Sequence, residues 1–438
     1  MSEYKFDTLK VRGGYNPIDH NYAVSVPIYA TASYEVETTE RFDRLRSGAE
    51  LGYLYSRIGN PTVSVLEERV AQLEGGSAAV AVASGMAAIT YALLNVAQGG
   101  GRILTTHQLY GGTVDAIKKL YPASGIAIDK IDSDSSIEEI TSAIKEDTKA
   151  IFIESISNPN AVLVDIEAIA KVAHDHDIPL IVDNTFATSY LFNPISHGAD
   201  VVVYSATKAL NGHGNAIAGL IVESGKFNWA NGKFPQFTEK QYTLRDLNDV
   251  ERSFVEAFPG ASFVTRIRLE YLAYFGAVLG PFDAYLILIG LETLSERVAK
   301  QVANTEKVIT FLKGHPAVAW VSYPTLEESP YKALADKYFP KGVGSTFTFG
   351  FNGDDEQISK LISSVKLFSY QANVGDARSL IINSPKTTHG ELTAEEQKLA
   401  KITPETIRLS IGLEDADDLI NDLEQAFEIA THTNKSEE

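Results

Sequence analysis

From Ala78 onward, short apolar runs alternate with longer stretches in which apolar residues return every three or four positions. The first kind of run suits a buried strand and the second an amphipathic helix. Strands are expected at 79–83, 102–105, 150–154 and 179–183, in the β-branched run Val201-Val202-Val203, and again at 216–223. Helices are expected between them, at 136–145 and 166–174 among others. This alternation predicts an α/β protein with a mostly parallel sheet covered by helices on both faces, and with ligands at the carboxyl ends of the strands.

The pattern differs on either side of that region. Residues 1–64 carry prolines, tyrosines and charges with little periodicity, which predicts an extended arm packed on something else; a helix follows over 63–73. Residues 65–300 form the expected large domain, and 301–438 a smaller α+β domain with strands at 345–351 and 406–410. Between the two, 281–313 reads as a helical run interrupted at Gly290, with Glu292, Arg297 and Lys300 on its polar side. The stretch 224–262 is rich in glycine, asparagine and aromatics; it is expected either to wall a site or to carry a small core of its own. Residues 431–438 are polar and expected to fray.

Polar residues stand where the carboxyl ends of the strands should be. Asn158 follows one, Asp183 ends the next, and Lys208 ends the one after, within Ser205-Ala206-Thr207-Lys208-Ala209-Leu210-Asn211-Gly212-His213-Gly214. An ammonium at the end of a core strand loses hydration, so it either reaches solvent or becomes a neutral amine, useful as nucleophile and base. Ser205 and Thr207 beside it could bind a phosphate, which makes pyridoxal phosphate, a phosphorylated aldehyde, the natural cofactor. Ser84-Gly85-Met86 at a predicted helix start is a second potential anion site. Asp183 would need a cationic partner at a buried strand end, and a protonated pyridine nitrogen is one.

Composition narrows the chemistry. The 438 residues carry a formal net charge of −19, which argues against nucleic acid or an anionic membrane as partner. With no cysteine, thiol nucleophiles, disulfides and thiolate metal sites are excluded; this fits a cytoplasmic protein. Met1-Ser2-Glu3-Tyr4-Lys5 lacks the apolar run of a signal peptide. No glycine pattern matches a nucleotide fingerprint, and His174-Asp175-His176-Asp177, although metal-like, is expected to be a solvated helix end.

The lysine segment also resembles that of the pyridoxal-phosphate enzymes of cysteine and methionine metabolism. The resemblance runs nearly end to end, through Tyr55-Ser56-Arg57, Asn60-Pro61-Thr62, Ser84-Gly85-Met86, Leu109-Tyr110-Gly111-Gly112, Glu154-Ser155-Ile156-Ser157-Asn158-Pro159, Val182-Asp183-Asn184-Thr185, Gly290-Leu291-Glu292-Thr293-Leu294 and Arg408-Leu409-Ser410-Ile411-Gly412. It implies the type I, aspartate aminotransferase-like fold, with Lys208 joined to the cofactor, Asp183 on its ring nitrogen and Tyr110 stacked on the ring. Gly85, Met86, Ser205 and Thr207 would hold the phosphate, with Tyr55 and Arg57 reaching over from a neighbouring subunit. Asn158 would contact the ring oxygen, and Arg408 with Asn373 would clamp the substrate carboxylate.

Within that family the chain is most similar to the O-acetylhomoserine sulfhydrylases, which implies an O-acylated homoserine and sulfide or a small thiol as substrates, in methionine biosynthesis. A homo-oligomer is implied, with the dimer as catalytic unit and a tetramer as assembly. The same residues would serve a cystathionine γ-synthase or a methionine γ-lyase. A lysine Schiff-base aldolase without cofactor would use Lys208 but leave Asp183 and Ser84-Gly85-Met86 without a role. Asp246-Leu247-Asn248-Asp249-Val250-Glu251-Arg252 and Asn383-Ser384-Pro385-Lys386 depart from the sulfhydrylase pattern, and substrate choice is expected near both.

Overall fold

The computed structural model describes residues 4–431; of the tail expected to fray, 432–438 lie outside the described residues. Seven strands form the main sheet: β1 (Ala78–Val82), β2 (Gly101–Thr106), β3 (Ile126–Ile131), β4 (Thr148–Glu154), β5 (Leu180–Asp183), β6 (Val201–Ser205) and β7 (Gly219–Glu223). Their spatial order is β1-β7-β6-β5-β4-β2-β3. All neighbours are parallel except β7, which runs antiparallel to both β1 and β6. Every residue of β5 and β7 is buried, which explains why these strands read as continuous apolar runs rather than alternating ones.

Strand β3 has no counterpart among the predicted elements. It lies on the sheet edge, only its two end residues are buried, and Asp129 and Lys130 interrupt it. An edge strand of this kind carries charge to discourage pairing with other chains, which erases the apolar signal.

A hairpin, β8 (Gln241–Arg245) with β9 (Glu251–Arg252), follows, and then a second sheet. That sheet comprises β10 (Val318–Ser322), β11 (Thr346–Phe351), β12 (Ser369–Tyr370), β13 (Leu380–Asn383) and β14 (Thr406–Ser410), in the order β10-β11-β14-β13-β12. The helical run between the sheets breaks at Thr293, not at Gly290: one helix spans Pro281–Glu292 and the next Leu294–Gly314. Gly290 stays helical because the backbone of Asn211 packs against it so closely that a Cβ would collide with the Asn211 carbonyl. Arg297, expected on the polar face, is buried and donates to the carbonyls of Ala209, Leu210 and Gly290, so it braces the turn after Lys208.

The stretch 224–262 supplies core. Trp229, Phe234, Phe237 and Phe254 are all buried, and Trp229 stacks on Phe263 at 5.0 Å. Its anchor is Glu223, which accepts Trp229 Nε1 at 2.9 Å and the backbone amides of Phe263 and Val264. His174 stands exposed in the last turn of the helix Ile166–Asp175, as expected of a solvated helix end, and pairs through Nε2 with the buried Asp200 at 2.8 Å. Among the described residues, no helix is long and apolar enough to cross a membrane, and no cluster of three potential metal ligands exists.

Four acids, Glu74, Glu154, Asp183 and Glu223, are held in the core with raised pKa values. Burial pushes Glu74 up to about 8 and Glu223 up to about 7, and it raises Asp183 as well. An acid whose folded pKa lies above its unfolded value stabilises the fold below the unfolded pKa, and that contribution is lost as pH rises through the folded value. The apoprotein is therefore expected to melt at progressively lower temperature as pH rises from 5 to 8. Thermal melts of wild type and Glu74→Gln check this, because the variant cannot ionise at position 74 and its curve should be flatter over that window.

Candidate active site

The site grows from three consecutive strand ends. Glu154 ends β4, Asp183 ends β5 and Ser205 ends β6, so parallel register alone places them side by side; Glu154 is directly opposite Asp183. The chain then turns through Thr207 and Lys208. Together with Ser84, Gly85, Met86, Tyr110, Asn158, Asn373, Thr388 and Arg408, these residues line a cavity of about 300 Å³.

Lys208 Nζ donates to Asn373 Oδ1 at 2.6 Å. Burial, and then the positive charge of Arg408, bring its pKa down to about 8, so an appreciable fraction is neutral amine near neutral pH. Arg408 on β14 is fully enclosed, which lowers it to about 10 but leaves it charged. Its fork is held on both arms: Nη1 donates to Asn158 Oδ1 at 2.8 Å and Nη2 to the Asn373 carbonyl at 3.1 Å. Asn373 thus joins the lysine to the arginine.

Asp183 accepts the Thr185 amide through Oδ1 at 2.9 Å. Burial raises its pKa, and burial together with the Asp183 charge raises that of Glu154 further. Two carboxylates this close in a dry site favour keeping one proton between them unless a cation intervenes. Nothing in the sequence pattern assigns Glu154 a role. In the structure it accepts the Tyr110 amide at 2.6 Å and the Asn158 amide at 3.1 Å, so one carboxylate fixes both neighbours of the cavity. An acid ending an apolar strand, four residues before Asn158, was the available signal.

The anion-binding side is equally specific. Ser84 caps the helix Gly85–Val96, its side chain accepting the Ala87 amide. Gly85 lies against β6 so closely that a Cβ would sit 2.5 Å from Ser205 Cβ. The start of this helix therefore lines the cavity beside Ser205 and Thr207, at a close approach that only glycine allows. That cradle fits the phosphate of pyridoxal phosphate. The carboxylate of Asp183 fits its ring nitrogen, and the amine of Lys208 its aldehyde. Tyr110 is at the mouth, 41 % exposed, where a ring could stack on the cofactor.

Not every expected residue enters the cavity. Tyr55 and Arg57, which the resemblance assigns to a neighbouring subunit's site, are absent from the lining of this chain's own cavity and stand together on an exposed loop, the guanidinium 5.0 Å from the ring centroid. No residue of 224–262 lines the cavity of this chain either, so the stretch where part of the substrate choice was expected does not reach it. The loop after β13 does reach it, through Thr388. Just behind Thr388, burial pushes His389 down to about 4, with the Arg408 charge adding to the effect.

Comparison with known proteins agrees with this chemistry. Residues 7–428 match the family model described as Cys/Met metabolism PLP-dependent enzyme. The sulfhydrylase FUB7 of Gibberella moniliformis is 44% identical over 97% of this chain and 98% of its own. The O-acetyl-L-homoserine sulfhydrylase of Leptospira meyeri is 42% identical, over 97% of both chains. A crystal structure from Campylobacter jejuni, described as an O-acetylhomoserine (thiol)-lyase carrying a pyridoxyl-lysine phosphate, superposes with a TM-score of 0.91 at 39% identity, over 97% of this chain and 100% of the other. With its strand-end lysine, phosphate cradle and near full-length match, this chain belongs to the PLP-dependent enzymes of cysteine and methionine metabolism.

Proposed function

We propose that the enzyme replaces the acetoxy group at Cγ of O-acetylhomoserine with sulfide, yielding homocysteine and acetate. The observation that carries this reading is the Lys208–Asn373–Arg408 linkage, which sets a partly neutral amine beside a fixed carboxylate clamp. An amino acid held at Arg408 by its carboxylate would present its α-carbon to Lys208. When bound, the cofactor supplies an electron-accepting ring conjugated to that carbon. Lys208 then serves as the base that moves protons at Cα and Cβ, and Asp183 keeps the ring nitrogen cationic. At Cγ a C–O bond breaks, acetate leaving with the electron pair, and a C–S bond forms; hydrosulfide and O-acetylhomoserine balance homocysteine and acetate in atoms and charge.

The sites belong to a dimer in this reading. Tyr55 and Arg57 point from an exposed loop of one subunit toward the phosphate side of the other, and dimers pair into tetramers. A cytoplasmic location fits the acceptor, since sulfide is consumed in an oxidising compartment.

Turnover of O-acetylhomoserine, O-succinylhomoserine and O-acetylserine with sulfide, measured side by side, tests the substrate assignment. The highest kcat/KM is expected for O-acetylhomoserine. Preference for the succinyl ester would overturn the acyl group, and preference for O-acetylserine the chain length. Glu154→Gln supplies a check on the architecture. An amide can accept only through its one oxygen, so Tyr110 or Asn158 loses its backbone partner. Cofactor affinity and kcat/KM should each fall about tenfold, as fluorescence titration of the apoprotein and steady-state rates would report.

A further inference from the structure

Arg57 and Tyr55 are presented by a loop that is held rigid and yet contributes nothing to its own subunit's cavity. The Tyr55 carbonyl accepts both the Ile58 and Gly59 amides, at 2.9 and 3.1 Å, which closes a tight turn around Arg57. Ser56 ties that turn to the arm through the Ala32 carbonyl, and Asn60 ties it through the Tyr29 carbonyl, each at 2.8 Å. A further strut comes from far along the sequence. Arg268 Nη1 donates to the Ile58 carbonyl at 2.9 Å, and Nη2 donates to Glu67 Oε2 at 2.7 Å and to the Ala79 carbonyl at 3.3 Å. Glu67 is itself locked, since its other oxygen accepts the Ala81 amide of β1 at 2.8 Å.

Arg268 lies in a π-helical turn, Ile267–Leu272, that interrupts an otherwise α-helical segment between Ser262 and Phe275. A π turn carries an extra residue and re-aims the side chains around it, at a cost in helix stability that is generally kept for a purpose. Here the side chain it places bridges the main sheet to the one loop that carries Tyr55 and Arg57. Neither end of that bridge lines the cavity of its own subunit.

We propose that Arg268, seated on Glu67, is a positioning residue that acts in trans: it fixes the Tyr55–Arg57 loop that completes the neighbouring subunit's phosphate site. The proposal rests on the shared-site reading above. Loss of the Arg268–Ile58 strut frees the loop to move, so Arg57 must be ordered again each time the neighbour binds cofactor phosphate. The cost falls on cofactor binding in the other subunit, while Lys208 and Arg408 of the same subunit keep their geometry.

Arg268→Met, which keeps the side chain's length and apolar stem, is expected to weaken pyridoxal phosphate binding by about tenfold, with kcat at saturating cofactor changed far less. A hybrid dimer gives the sharper result. Differently tagged Arg268→Met and Lys208→Ala subunits are co-expressed and purified through both tags. The site with the intact lysine then receives its loop from the subunit with the intact Arg268, so wild-type cofactor affinity and half the wild-type turnover should return.

A hybrid as weak as the Arg268→Met homodimer, or a homodimer that binds cofactor normally, would overturn the proposal. A parallel hybrid of Arg57→Ala with Lys208→Ala tests the shared site itself; failure to recover there refutes that reading independently of Arg268. Should Arg268→Met not fold, Arg268→Lys takes its place in the same design, because an ammonium can keep the Glu67 contact but cannot also span to Ile58 as a fork does.

Discussion

Replacing Lys208 by alanine is expected to lower turnover by on the order of 10⁵-fold and to abolish the visible absorption of a lysine-linked cofactor. The size follows from the number of tasks this one amine performs. In the proposed mechanism it holds the cofactor, and it is the basic group that would move protons at Cα and Cβ beside the carboxylate site at Arg408. Its pKa of about 8, set by burial and by Arg408, keeps it usable as a base near neutral pH. No neighbour can replace it: Asn373 does not titrate, Tyr110 is at the mouth, Glu154 holds two backbone amides, and Asp183 is the proposed partner of the ring nitrogen. The variant should still fold and bind pyridoxal phosphate weakly through the Gly85 cradle. Spectra and rates recorded on the same sample would report both effects; unchanged absorption would remove Lys208 from its role.

Arg408→Lys is expected to lower kcat/KM by about 10²- to 10³-fold, most of it as a rise in KM for the amino acid. The guanidinium reaches Asn158 Oδ1 with one arm and the Asn373 carbonyl with the other, and this double anchorage orients the fork toward a planar carboxylate. A lysine can satisfy one of these partners at most. It is also easier to neutralise: burial already brings the arginine to about 10, and the same enclosure acting on an ammonium would bring its pKa nearer to neutrality. The residual activity of the variant should therefore fall as pH rises from 7 to 9, through loss of the clamp's charge. Steady-state kinetics across that range check both statements, and a variant with unchanged KM would show that the substrate carboxylate binds elsewhere.

What the sequence disclosed and what it hid follow one physical division. Strands buried on both faces wrote themselves as apolar runs, so Asp183 and Lys208 at their ends stood out as polar groups in costly places. Glu154 stood in the same position relative to β4, yet its role depends on amides of Tyr110 and Asn158, and backbone partners leave no mark on side-chain pattern. Strand β3 was hidden because an exposed edge needs charge more than apolar content.

Gly290 shows the opposite error, in which local composition suggests the wrong purpose, and the 224–262 stretch shows composition leaving two purposes open. The glycine is a helix breaker by propensity, but the close approach of Asn211 requires it inside the helix. The aromatic stretch suited either a wall for a ligand or a small core, and Glu223 draws its tryptophan into core. Arg268 was invisible for a related reason: its partners, Ile58 and Glu67, lie some two hundred positions away, where only the folded chain brings them together.

The central claim is that this cavity performs replacement at Cγ, with sulfide as the incoming group. Its most direct test is product analysis of the holoenzyme with O-acetylhomoserine, with and without sulfide. With sulfide, homocysteine should accumulate in step with acetate, and omission of sulfide should stop nearly all acetate release. Acetate released at the same rate without sulfide, accompanied by 2-oxobutanoate and ammonia, would contradict the claim and make the enzyme a lyase.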